Sequence, residues 1–540
     1  MKKWLVLNTK TKDVIEALLE NRGLKTAKEV EDFLNPELPE KLTLKELGLD
    51  AKEIGKAIKR IEEAKKNKEK VIVYGDYDAD GIDATAVLWE ALYSLKVDAL
   101  PYIPGRFDEG YGINVESVKN LQIKYPEIKL ILTVDNGIVA DKEIAAINKL
   151  GIDVIVLDHH TIGKITPKAF SIIHTTQICA AAIAWILGRE LGADVATSLD
   201  LVSIATIADQ VPLVGPNRSF AKFGLEALRK TQRKGLSALF SEAAIKREDI
   251  GTYVVGYLIA PRLNAMGRLE HAIDSLRLLC TRDIKRASGL AAFVAKTNVQ
   301  RQKIVDEVVI HAREIFLKAP KSKFIILADE SYHEGVIGLA ASRLVEEFHR
   351  PAIVISKGEK VSKASARSIS GFNIIESIRK LDELLTAGGG HPMAAGFSLK
   401  TVDIEIFTKR FEELNGELLT PEILERKLKI DLELKFSDIN DQLVKTIEAF
   451  EPTGTGNPTP VFASYGVEIK AVRPVGREGK HLKLVLNQDG RTFDAIAFGM
   501  GEHLPDLKLG KKIDVAYSLE ENIWNGSSSL QLKIKDIASD

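Results

Sequence analysis

The sequence predicts an α/β protein: a parallel-sheet region, a second and smaller α/β region, and an all-β tail. Three observations carry this. Four short apolar runs, VIVYG from 71, DALPYI from 98, KLILTV from 129 and DVIVL from 153, are separated by helical patterns such as DATAVLWEALYSL (83–95). Buried β runs alternating with helices mean parallel strands covered on both faces. A second α/β region opens with FIILAD (324–329), continues with PAIVIS (351–356) and ends near residue 424. From 428 the pattern changes to KIDLELKF, VFASYGVEIKAV, HLKLVLN, TFDAIAF, IDVAYSL and SLQLKIKDI, strands with turn signals between them. Such a series suggests a small barrel or sandwich.

Residues 10–70 read as helices broken by NRGL (21–24), and Ala-rich and Leu-rich helices follow the fourth strand to about residue 240. The stretch 283–318 has no proline and one glycine, so it reads as one long connecting helix or a helix pair. At 540 residues the chain exceeds one core, and two to four domains are expected. With 75 basic and 76 acidic side chains the net charge is -1, which neither points to nucleic acid nor excludes a local basic groove. Two cysteines, Cys179 and Cys280, lie in apolar helical contexts and read as core, so no disulfide scaffold is expected and a reducing cytoplasm is the simple reading. MKKWLVLNTK is too short in its apolar run for a signal peptide, and no run of eighteen apolar residues predicts a membrane span.

The strand tips carry the chemistry. VIVY leads into GDYDADG, with Asp76, Asp78 and Asp80 at alternate positions; ILTV leads into Asp135 of TVDNG; VIVL leads into Asp158, His159 and His160. The helical run LDLVSIATIADQVPL carries Asp209. Carboxyl ends of parallel strands share one edge, where ligands bind, so three strands deliver acids and imidazoles to one rim. Taken alone, GDYDADG reads equally as a turn, and DHH as a solvated loop. Three such motifs, each directly after an apolar strand, do not. Carboxylates this crowded repel one another unless cations sit among them. Asp and His without Cys suit Mn²⁺ or Mg²⁺, and the donors are numerous enough for two ions.

YGDYDADG, TVDNG, DHH and ATIADQVPL resemble the four motifs of the DHH phosphoesterase superfamily. NRGL, GRFDEGYG, APRLNAMGRL, YHEGVIGLAASRL, SARSISGFNI, GGGHPMAAGF and EPTGTGNPTPVF extend the likeness, in order and over nearly the whole chain, to the RecJ family of single-stranded-DNA-specific 5′→3′ exonucleases. The resemblance implies an N-terminal helical segment (1–50), a DHH catalytic domain (51–280), a connecting helix (281–320), a DHH-associated domain (321–425) and an OB-fold nucleic-acid-binding domain (426–540). It implies release of nucleoside 5′-monophosphates in DNA repair and recombination. It also implies a narrow channel that excludes duplex and work beside a helicase and a single-strand-binding protein; separately, a monomer is expected.

The resemblance further implies that Asp78, Asp80, Asp135, His159 and Asp209 ligate metal, with Asp76 shared or outside the coordination shell and Asp135 bridging. His160 is a ligand, a binder of the scissile phosphate or an acid, and Asp158 orients an imidazole. Arg106, Ser365 and Arg367 match contacts to a 5′ phosphate; Arg262, Asn264, Arg268, His333, Arg343, Gly389, Gly390 and His391 fall along the nucleic-acid path. For GGGH, bare backbone against a phosphate and a tight turn with a packed histidine are equal readings. In the tail, Phe462, Tyr465, Lys480, His481 and Lys483 are candidates for stacking and charge. Asp83 stands where Thr or Ser is common in the family, Tyr332 where Trp is, Ala366 where Gly is and Thr453 where Phe is, and HTTQICAAAIAW (174–185) lacks the usual Asn-Pro and Gly-rich turn. These changes bear on substrate preference, not on ligands. Two rivals are a DHH phosphodiesterase on short oligoribonucleotides, which lacks a long helix and OB-fold, and a non-catalytic replisome protein, which loses ligand-type residues. Here the helix and barrel are readable, and every acid and histidine is present.

Overall fold

The computed structural model describes residues 2–9, 13–318, 322–524 and 527–538. The chain forms two compact units, residues 25–300 with 450–458, and residues 1–24, 301–449 and 459–540.

The first unit is built on five parallel strands, β1 (Lys70–Tyr74), β2 (Ala99–Tyr102), β3 (Ile128–Val134), β4 (Asp153–Asp158) and β5 (Ser171–His174), in the order β2-β1-β3-β4-β5. β5 is an addition to the four strands the sequence shows; SIIH is too short to stand out. Side chains alternate between two cores. Val71, Val73, Ile155 and Leu157 pack with helices α1 (Ala79–Ser94), α2 (Ala180–Glu190) and α3 (Leu199–Ala208), while Ile72, Tyr74, Val154 and Val156 pack with Val118, Ile144 and Ile147 on the other face. The sheet is therefore buried on both sides, which is why its strands read as continuous apolar runs. The connection after β1 leads to β2 on one side and the connection after β3 leads to β4 on the other, so a crevice opens at the carboxyl ends of β1 and β3. Further along, this unit holds a helical rod: the turn Thr252–Val254, a π-helical turn Val255–Ile259, and α4 (Ala260–Leu269).

The stretch 283–318 is one helix, α5 (Ile284–Lys318), of 35 residues; residues 319 and 320 of the expected connector lie outside the described residues.

In the second unit, β6 (Ile325–Asp329), β7 (Ala352–Ser356), β8 (Val361–Arg367), β9 (Leu385–His391) and β10 (Ala394–Lys400) form a sheet in the order β9-β10-β8-β7-β6, parallel only between β6 and β7. Helix α6 (Ile337–Phe348) packs on β7 and β8. The tail is a barrel and not a sandwich. β11 (Phe462–Val475), β12 (His481–Gln488), β13 (Arg491–Ala497), β14 (Lys512–Trp524) and β15 (Ser527–Ala538) run β11-β12-β13-β15-β14, and β11 pairs with β14 to close the ring. The segment 1–50 is not wholly helical: Lys3–Val6 is a strand paired in parallel with Lys427–Ile430. Residues 10–12 lie outside the described residues, and the helices of this region are Val14–Asn21 and Ala27–Leu34. Cys179 is core as expected; Cys280 is only partly buried. Among the described residues no helix is long and apolar enough to cross a membrane.

Candidate metal centre

The acids and histidines of the first unit meet at the crevice beside β1 and β3. Asp78 caps α1, its carboxylate accepting the Gly81 N–H at 3.1 Å, and Asp80 follows in the first helical turn, where partial positive charge favours an acid. Gly81 is required here: a Cβ would lie 2.6–2.7 Å from Asp76 atoms. Asp80 is held from the far side by the start of α2, whose Ala180 and Ala181 N–H groups donate to its two oxygens at 2.8 Å. Asp135 follows β3 with φ of 62°, the left-handed region that Asp tolerates better than most residues. Its N–H donates to Leu157 O at 3.0 Å, tying β3's tip to β4.

His159 Nε2 lies 3.2 Å from Asp135 Oδ1, 3.5 Å from Asp80 Oδ2 and 3.7 Å from Asp209 Oδ2. Three overlapping groups each place their donor atoms within 4.8 Å: Asp135, His159 and His160; Asp80, His159 and Asp209; Asp76, Asp78 and Asp135. Asp76 Oδ1, Asp135 Oδ1 and His159 Nε2 are buried and have no hydrogen-bond partner among the described residues. A buried polar atom without a partner is costly. Here three converge, all of them good donors to a hard divalent ion, so the residues fit Mn²⁺ or Mg²⁺.

Burial, then the neighbouring carboxylates, raises Asp76 and Asp135 well above the ordinary range and Asp209 to about 8. Burial lowers His159 toward the neutral, ligating form. His160 behaves oppositely. Burial disfavours its charge, but its Nδ1 sits 2.7 Å from Asp158 Oδ1, and this contact with the nearby carboxylates raises it to about 9. Asp158 itself is locked by the Ile138 and His160 N–H groups at 2.9 and 3.0 Å. The two histidines are thus differentiated by what they touch: His159 faces the orphan carboxylates, His160 a satisfied one.

The nucleic-acid candidates of this unit are engaged by neighbouring groups. Arg106 stands 5.1 Å over the Tyr77 ring. Asn264 does not present a free carbonyl: its Oδ1 accepts the Ala79 N–H at 2.7 Å and so positions the start of α1. Arg262 donates to Leu258 O, and Arg268 is half-buried at the end of α4.

In the second unit, Arg367 at the end of β8 donates to Ser365 Oγ at 3.1 Å and to Ala366 O at 2.8 Å. Burial lowers its pKa, and no carboxylate pairs with it among the described residues. Gly338, in the first turn of α6, is close enough that a Cβ would lie 2.9 Å from Ser365 Oγ and 3.0 Å from Arg367 Nη2. A helix N-terminus, a hydroxyl and an unpaired guanidinium therefore share one spot. The others are less free. Arg343 pairs with Asp306, and His333 Nδ1 accepts the Gly335 N–H. Gly389, Gly390 and His391 are on the exposed edge strand β9, so His391 is not packed in a turn as one reading held. On the barrel, Phe462 is fully buried and cannot stack on a base; β alternation points it inward. Tyr465 and Lys480 are exposed, and Lys483 pairs with Asp494 at 3.2 Å.

Sequence reasoning missed several residues. Tyr111 reaches Asp135 O at 3.4 Å and meets the His160 ring edge-on. Its place in GYG, beside glycines, was the available signal. Phe498 is exposed, packs on His481 and carries Lys533 above it at 5.6 Å. EPTGTGNP (451–458) belongs to the first unit: Thr455 O accepts the Leu213 N–H at 2.7 Å, so this segment braces the loop after Asp209. Buried Arg218 fixes it by donating to Phe450, Glu451 and Pro452 carbonyls.

Three family models match: the DHH family N-terminal domain over residues 70–208, the DHHA1 domain over 321–417 and the RecJ OB domain over 430–536. The single-stranded-DNA-specific exonuclease RecJ of Bacillus subtilis (strain 168) is 35% identical over 538 residues, covering 97% of this chain and 68% of that protein. The crystal structure of RecJ from Thermus thermophilus in complex with Mn²⁺ superposes with TM-score 0.84 at 30% identity, over 100% of this chain and 80% of that one. The corresponding Mg²⁺ complex gives TM-score 0.79 at 28% identity, over 100% and 78%. With identity at this level running the length of the chain, and an acid-and-histidine rim at the sheet's switch point, the protein belongs to the RecJ family of single-stranded-DNA-specific exonucleases.

Proposed function

We propose that the protein removes nucleoside 5′-monophosphates from the 5′ end of single-stranded DNA in a reaction that needs Mn²⁺ or Mg²⁺. The observation that carries this is the convergence of three unpartnered buried donors, on Asp76, Asp135 and His159, at the crevice between β1 and β3. Asp76, Asp78, Asp80, Asp135, His159 and Asp209 hold the ions. When bound, two divalent ions supply a hydroxide-like water near neutral pH and offset charge on the phosphate and the leaving oxygen. Asp158 holds His160 through Nδ1, and this contact with the nearby carboxylates raises its pKa to about 9 in the metal-free protein. His160 then donates through its other nitrogen to the scissile phosphate or the leaving oxygen.

Arg367, Ser365 and the start of α6, together with Arg106, hold the terminal 5′ phosphate. An unpaired, half-buried guanidinium supports this reading, since Arg forms strong bidentate pairs with phosphate. Residues 51–280 supply catalysis, 281–320 the connector, 321–425 the end-binding domain and 426–540 the barrel that grips the strand. In the cell the enzyme works in the cytoplasm as a monomer, behind a helicase and beside a single-strand-binding protein, in repair and recombination. Single-stranded DNA labelled at its 5′ end, incubated with and without Mn²⁺, tests the reading. Labelled mononucleotide as the first product, only with metal, supports it. Long labelled fragments, or cleavage in chelator, contradict it.

A further inference from the structure

An exposed pair of aromatic rings stands on the helical rod that ends at the metal centre. Tyr253 and Tyr257 are 66% and 68% exposed, and their rings stack with centroids 4.8 Å apart and planes at 25°. They lie on the turn Thr252–Val254 and the π-helical turn Val255–Ile259, which runs directly into α4. π-turns within helices recur at functional sites. The rod buries Val254, Val255, Ile259, Leu263 and Met266, and leaves Tyr253, Tyr257, Arg262, Asn264 and Arg268 exposed or half-buried. Its far end is fixed to the metal-binding loop. Asn264 accepts the Ala79 N–H, and Gly267 lies so near Tyr77 that a Cβ would stand 2.4 Å from its carbonyl oxygen. Tyr253 is thus about 22 Å along the rod from Arg268, at 1.5 Å per residue.

The pair is poorly explained by packing, because rings this exposed bury little. Gly256, between them, has open space where a Cβ would stand, so packing does not demand a residue that disfavours helix. Arg262 Nε, on the same rod, has no hydrogen-bond partner among the described residues.

We propose that Tyr253 and Tyr257 form a base-stacking step for the single strand outside the metal centre, with Arg262 and Arg268 meeting its phosphates along the way. The occupant is a single strand of DNA because the stripe joins flat apolar rings to cations and ends at the candidate phosphodiester site. Stacking tolerates any base, as a nuclease without sequence preference requires. This inference rests on the exonuclease reading above.

The test uses the full chain in EDTA, a fluorescent oligothymidylate read by anisotropy, and the pairs Tyr253→Ala/Tyr257→Ala and Tyr253→Phe/Tyr257→Phe. The alanine pair is expected to weaken binding about 5- to 150-fold for one lost stacked base, and the phenylalanine pair by less than about twofold. 2-Aminopurine moved along the oligonucleotide is expected to be quenched at one position by the parent and the phenylalanine pair but not by the alanine pair. Unchanged binding by the alanine pair overturns the proposal, as does equal loss in the phenylalanine pair. Loss of self-association without loss of DNA binding also overturns it, assigning the rings to a second copy of the chain. A parent that degrades the strand with Mn²⁺, beside an alanine pair that binds normally, refutes the stacking step alone. A parent that neither binds nor degrades it refutes the exonuclease reading as well.

Discussion

The two sheets answer the same problem with opposite charges. In the first, three parallel strands end in acids, and buried carboxylates and an imidazole are left without hydrogen-bond partners among the described residues. In the second, a mixed sheet ends its central strand in Ser365 and Arg367, and a half-buried guanidinium is left without a carboxylate among the described residues. An unpaired buried group of either sign is expensive to keep. The negative rim calls for cations and the positive spot for an anion, and a nuclease substrate needs both.

Removing the centre of the negative rim breaks this contrast most severely. Asp135→Ala is expected to lower hydrolysis of single-stranded DNA by on the order of a thousandfold or more, since divalent ions contribute several kcal/mol to such reactions. Binding to the strand, measured by anisotropy, should largely survive because phosphate contacts elsewhere carry affinity. Near-parental hydrolysis by this variant would end the metal assignment.

The positive spot is expected to matter for one substrate end only. Arg367→Ala should slow degradation of a 5′-phosphorylated strand on the order of a hundredfold, the scale of misplacement by about an ångström. A 5′-hydroxyl strand should be degraded at nearly the parental rate. Equal loss on both strands would make Arg367 a structural residue.

Much of the first site was legible because strand tips are sequence-local. An apolar run followed at once by Asp or His states both the element and its functional end, as with Asp135 and His159. The left-handed Asp135 and the α2 N–H groups that hold Asp80 were not legible, since both depend on how distant segments pack. Phe462 was misread for a related reason: in a barrel, inward and outward positions differ by one residue, and register is set by closure between β11 and β14. EPTGTGNP looked like part of the tail, yet it packs in the first unit, and only Arg218 and Leu213, far earlier in the chain, reveal this. Removing the chain from 428 therefore strips the brace behind Asp209 as well as the barrel.

A smaller effect tests the charge logic without substrate. Asp76, Asp135 and Asp209 have folded pKa values raised above the unfolded value of about 3.9, and His160 is raised to about 9. These four groups bind more protons in the folded state than in the unfolded one over this range, outweighing His159, which burial lowers, so stability falls as pH rises. Metal-free protein is expected to lose Tm steadily from pH 5 to 8, and added Mn²⁺ to restore more at pH 8 than at pH 5. A metal-free Tm that rises over this interval would contradict the burial of so many carboxyls.

The smallest effect concerns Asp83, one turn beyond Asp80 on α1. It is fully buried, both oxygens lack partners among the described residues, and burial with Asp80 raises its pKa well above normal. Asp83→Thr is expected to stabilise the protein by about 1–3 kcal/mol, the penalty of an unsatisfied buried group, visible in urea unfolding. A loss of stability would mean that the carboxyl has a partner the packing does not show.

Calorimetric titration of Mn²⁺ tests the central claim most directly. The parent is expected to bind two Mn²⁺ per chain and release protons, read as a dependence of the heat on buffer ionisation, because carboxyls with raised pKa values must ionise to ligate. Asp135→Asn, at the junction of two donor groups, should lose at least one of the two ions. Stoichiometry and proton release unchanged in Asp135→Asn, or no Mn²⁺ bound by the parent, would contradict it.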